Sequence, residues 1–163
     1  MKKVERLFCL AAACMAAVAA NAQDKVEGTI STDVVNQYIW RGQDLGNVSV
    51  QPTLGVAYKG FSLTGWGSVG LSNSDDTKEF DLTLAYGIGG FHVGVTDYWF
   101  NKGVNNYSGD AYSDAKYFSY AAHSTIHVFE ANIGYDFDPV VLNWYTNFAG
   151  NDGLNKSGSR AYS

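Results

Sequence analysis

The stretch His123-Ser124-Thr125-Ile126-His127, a scatter of carboxylates and Arg41 carry most of the chemistry in this chain. Two histidines four residues apart suit zinc on a helix, where they share a face. This stretch lacks the glutamate of that motif, and in a strand the two rings would stand about 13 Å apart. No metal or other cofactor is expected. Ser124 beside two imidazoles is a thin basis for acyl transfer, so no catalytic residue is assigned and the chain is not read as an enzyme. The side chains best placed to act together are Asp33, Gln37, Arg41, Asp81, Thr83, His92, Thr96, Glu130, Asn132, Asn143 and Tyr145. They could line an aqueous passage, where an acid excess favours cations. They could equally fill a closed interior, with Arg41 paired to Asp33 or Glu130. The acidic stretch from Ser72 to Glu79 reads as a solvated loop.

The elements that must position these residues have a side-chain period of two. Phe80, Leu82, Leu84, Tyr86 and Ile88 fall on one face, and Asp81, Thr83, Ala85 and Gly87 on the other. A strand alternates its side chains in this way. The same reading gives seven candidate strands: 26–40, 50–58, 61–71, 79–88, 91–100, 128–137 and 140–148. Lys59-Gly60 and Gly89-Gly90 separate neighbouring strands by two residues, and glycine there supplies the positive φ of primed hairpin turns. No helix follows either glycine, so neither is a phosphate cradle. Asp138-Pro139 marks a third tight turn. Asn36 interrupts the apolar face of the first strand. Pro52 belongs near a strand end or a bulge, because it cannot donate to a ladder. The class expected is all-β, an antiparallel meander.

Met1-Lys2-Lys3, Arg6 and the apolar run from Leu7 to Ala20, ending in Ala20-Asn21-Ala22, have the form of a signal peptide. Cleavage is expected between Ala22 and Gln23, which gives a leader over 1–22 and one domain over 23–163. Cys9 and Cys14 lie in the leader, so no disulfide is expected in the mature chain. Losing Lys2, Lys3, Arg6 and Glu5 takes the formal net charge from −5 to −7. With no basic patch, nucleic acid is not an expected partner.

Connections alternate along the chain. The three tight turns are short, whereas 41–49, 72–78, 101–126 and 149–159 are long. In a meander alternate connections lie at opposite ends, so short turns gather at one end and long loops at the other. Outer-membrane barrels have this asymmetry, strands of about ten residues suit a tilted crossing of the hydrocarbon, and only a closed sheet satisfies its backbone in lipid. Trp40, Tyr58, Phe61, Phe91, Trp99, Tyr135, Phe137 and Trp144 are the candidates for the aromatic girdles of such a wall. In a water-soluble sandwich the same rings would form a core.

Ser31-Thr32-Asp33, Tyr38-Ile39-Trp40-Arg41-Gly42-Gln43 and Val50-Gln51-Pro52-Thr53-Leu54 resemble the early pattern of the TorF-type porin family, though extra residues separate Asp33 from Tyr38. Thr96-Asp97-Tyr98-Trp99-Phe100 and Leu142-Asn143-Trp144-Tyr145-Thr146-Asn147-Phe148 add to the likeness. The resemblance implies an outer-membrane β-barrel, perforated or closed, with no catalytic residue. Members of that family look longer and end in an aromatic residue, so a C-terminally truncated member is expected: seven strands and the start of an eighth. The reading is a porin in the outer membrane of a Gram-negative-type envelope, with lipid and small solutes as partners and homo-oligomerisation open. The alternatives are a closed structural or adhesive barrel and a secreted carbohydrate-binding β-sandwich.

Overall fold

The computed structural model describes residues 25–72, 76, 78–101, 116–120 and 125–150. The leader with its Ala22–Gln23 cleavage site, His123 and Ser124 lie outside these residues. The described chain is all-β and antiparallel. Its strands are β1 (Glu27–Val35), β2 (Tyr38–Trp40), β3 (Gln43–Gly46), β4 (Ser49–Tyr58), β5 (Phe61–Gly70), β6 (Glu79–Ile88), β7 (Phe91–Phe100), β8 (Val128–Asp136) and β9 (Val141–Gly150). Seven form one sheet in the order β1-β4-β5-β6-β7-β8-β9, while β2 and β3 pair only with each other. The large sheet does not close on itself; β1 and β9 are its edges.

The turns follow from their residues. Lys59 and Gly60 have φ of 49° and 84°, and Gly89 and Gly90 have 55° and 85°. Both residues of each pair are left-handed, as a primed two-residue turn requires. A Cβ on Gly60 would run into the Gly87 carbonyl and the Tyr86 ring, so that turn admits no larger residue without rearrangement. At the third turn Phe137 donates its N–H to the Val140 carbonyl at 2.8 Å across Asp138-Pro139.

Successive hairpins are staggered. The pair Tyr58–Phe61 beside the first turn is in register with Tyr86, two residues short of the Ile88–Phe91 pair beside the second. Phe91 in turn lies opposite Tyr135, two residues short of Phe137.

The two faces of the sheet have opposite burial from those of a soluble protein. Ser49, Gln51, Ser68, Glu79, Asp81 and Glu130 are buried, whereas Leu54, Val56, Leu63, Leu82, Leu84, Ile133 and Leu142 are exposed, Leu84 at 57%. A flat single sheet would expose both faces alike. The sheet therefore curls, with its polar side chains converging on the concave side. Crowding there agrees: a Cβ on Gly134 would collide with His92 and Asn143, and one on Gly94 with Asn132.

The first strand is shorter than its sequence pattern predicts. It ends at Val35, and Asn36 and Gln37 lead into the separate β2–β3 hairpin. Asn36 sits where the apolar alternation fails. Beyond it Arg41 (φ 47°) and Gly42 (φ 78°) form a turn of the same handedness as Lys59-Gly60.

Candidate functional site

The concave face is the candidate site. Among the described residues the charged positions along its strands are Glu27, Asp33, Glu79, Asp81, Glu130 and Asp136, and none of them is lysine or arginine. Thr83 on β6 and Thr96 on β7 share a hydrogen bond between hydroxyls at 3.0 Å. His92 on β7 bonds Asn143 on β9, reaching across β8. Gly134 lies between them and has no side chain to obstruct the contact.

The β2–β3 hairpin folds into this concavity. Tyr38 packs on Trp66 of β5 with ring centres 5.5 Å apart, and its hydroxyl lies beside the Glu79 carboxylate. Trp40 meets Tyr98 of β7 edge-on at 5.9 Å. Arg41 donates two hydrogen bonds to Glu130 of β8, at 2.7 and 3.0 Å, and Tyr98 donates a third to the same carboxylate at 3.1 Å. The guanidinium lies 4.3 Å from the Trp40 ring centre and 4.8 Å from that of Tyr145 on β9. A planar guanidinium suits both the forked carboxylate contact and the ring faces. Partial burial works against its charge, but the hydrogen bonds and negative charge of Glu130 outweigh this and hold Arg41 above its ordinary pKa.

Asp76 ties down the far end of the hairpin. It is buried and accepts hydrogen bonds from the backbone N–H and side-chain amide of Asn47, both at 3.3 Å. The expectation of a solvated Ser72–Glu79 loop is corrected here: Asp76 and Glu79 are both buried, because each faces the hairpin.

A second cluster sits on the convex face beside the long connection between β7 and β8. Asp97 is a carboxylate on the apolar side of β7, in register with Leu82 and Phe129. His127 covers it. Its Nδ1 bonds Asp97 at 2.6 Å, its Nε2 bonds the Tyr117 carbonyl, and it is fully buried. Tyr120 donates to the other Asp97 oxygen at 2.9 Å. Tyr117 packs edge-on against Phe80 and Trp99, which pins residues 116–120 to the sheet. The two ring nitrogens of His127 thus tie Asp97 of β7 to the backbone of the 116–120 segment. Among the described residues no group of three or more potential metal ligands converges.

The candidate residues thus fall in three places. Asp81, Thr83, His92, Thr96, Glu130, Asn132, Asn143 and Tyr145 lie on the concave face, as does Asp33 on the edge strand β1 opposite Gln51. Gln37 and Arg41, expected on the first wall strand, lie instead in the inserted hairpin, where Gln37 donates to Asp44 at 3.2 Å. Arg41 reaches the concave face through its long side chain. Among the aromatics, Tyr58, Phe61, Phe91, Tyr135 and Phe137 stand on the convex face beside the tight turns. Trp99 stands at the long-loop end under Tyr117. Trp40 is a correction, since the hairpin carries it to the concave side. Trp144 stands on the convex face in the row of Val93 and Ile133, nearer the tight turn of its strand than the long-loop end. Asp97 and His127 were not singled out as a pair. An acid within the apolar alternation of 93–99 was the available signal. Comparison of the chain with protein-family models, curated proteins and solved structures finds no match.

Proposed function

We propose that this chain forms part of the wall of an outer-membrane β-barrel that passes small polar solutes, cations ahead of anions. The observation that carries this reading is the inverted burial of the sheet. Its Leu, Ile, Val and Phe side chains point outward uncovered, while its carboxylates, amides and hydroxyls converge inward. Water penalises such a surface by roughly 25 cal/mol for each Å² of apolar area left exposed, and lipid does not. Aromatic rings beside the tight turns supply the amphipathic groups expected at a headgroup level. Signal-peptide-like residues at the start of the sequence fit export, and the long and short connections fall at opposite ends as in such barrels. The acidic concave strands favour cations by simple Coulomb attraction. Free edges at β1 and β9 require further strands, from this chain or another, to complete the ring in lipid.

The hairpin on the concave side favours one competing reading, a closed structural barrel. Planar-bilayer recording separates the two. The channel reading expects discrete conductance steps and, across a KCl gradient, a reversal potential of the sign given by permeant K⁺. A refolded protein that inserts and never conducts favours the closed barrel. A sandwich would instead stay folded and monomeric in water without detergent.

A further inference from the structure

We propose that the β2–β3 hairpin is the constriction of this passage and that Arg41 is its selectivity-determining residue, clamped to the wall by Glu130. The proposal rests on the channel reading and adds where that channel is narrowest and which charge the solute meets there.

The geometry is that of a crossbar. Tyr38 touches β5, Trp40 touches β7, and Arg41 touches β8 and β9. Five neighbouring strands at about 4.8 Å spacing span about 19 Å of arc, and the nine residues of the hairpin, Tyr38 to Gly46, reach across them. Three of the wall residues contacted lie in the long-loop half of their strands, Trp66 sixth of ten in β5, Tyr98 eighth of ten in β7 and Glu130 third in β8, and Tyr145 is fifth of ten in β9. The bar therefore lies toward the outer mouth. Both ends are fixed, one by Arg41 on Glu130 and the other by Asn47 on Asp76.

The chemistry follows. Among the described residues the charged positions of the concave strands are all acidic, and Arg41 is the cation brought to them. Its charge is matched by Glu130 and its ring contacts block the gap between Trp40 and Tyr145. Glu79 and Asp81 stand buried on the same side, Glu79 beside the Tyr38 hydroxyl. Removing the guanidinium widens the gap and leaves Glu130 unneutralised, so both conductance and cation preference rise.

The test uses the whole chain refolded into planar bilayers, in KCl. Four proteins are compared: wild type, Arg41→Gln, the swap Arg41→Glu with Glu130→Arg, and a variant with residues 38–46 replaced by a short Gly-Ser linker. Arg41→Gln and the linker variant should each raise single-channel conductance at least two-fold and shift reversal further toward K⁺. The swap, which keeps the pair, should stay near wild type. A silent wild type with a conducting linker variant also supports the proposal, the hairpin then being a full plug. Wild-type channels whose conductance and reversal potential the linker variant leaves unchanged overturn it while the channel reading stands. Silence from all four proteins, with insertion confirmed by heat-dependent gel mobility, overturns both.

Discussion

Asp97 sets the energetics at the scale of single residues. A carboxylate on an apolar face is costly unless paired, and His127 with Tyr120 supplies that pairing. Asp97→Ala leaves a fully buried imidazole with one acceptor gone. Its cost should be about 1–3 kcal/mol, the range for leaving a buried polar group without its hydrogen-bond partner, measured by urea unfolding in detergent micelles. The same ring anchors the 116–120 segment through the Tyr117 carbonyl. His127→Ala should therefore speed chymotryptic cleavage at Tyr117 and Phe118, and unchanged cleavage would show that the ring does not hold this segment.

Individual strands carry the discrimination between lipid and water. Leu84 is mid-strand on β6, flanked in register by Leu63 and Val95, and is largely exposed. Leu84→Arg should cost about 2–4 kcal/mol in a bilayer-embedded wall, read from denaturant titration in lipid vesicles. On a water-facing sheet the same change would be nearly neutral or would improve solubility. Strand periodicity made most of this scale legible beforehand. The bounds of β6 and β7 match the alternation residue for residue, and the tight turns sit where their glycines or Asp138-Pro139 require. The first strand is the exception. Arg41-Gly42 has the same form as Lys59-Gly60 and is flanked by Tyr38-Ile39-Trp40, so a second hairpin was written there too. What sequence could not supply is that this hairpin folds inward. That depends on Trp66, Tyr98 and Glu130 meeting it from strands 28 to 89 residues away. The reach of Arg41 to Glu130 was legible as a pairing but not as a bridge from a loop.

For the molecule as a whole, the stagger between hairpins has a consequence for orientation. Each tight turn is displaced by two residues relative to the one before it, or one residue per strand. A rise of about 3.4 Å per residue against a spacing of about 4.8 Å between strands inclines the strands by about 35° when the turns are levelled in one plane. That value falls within the tilt of closed membrane barrels. Ten residues extend about 34 Å, and at such a slope they climb about 28 Å, enough to traverse an apolar band roughly 25 Å tall. Polarised infrared spectra of oriented lipid films should give an amide I dichroism corresponding to about that angle from the film normal. An isotropic signal would mean that this pitch, written into the spacing of three small turns, answers to some other surface than a bilayer.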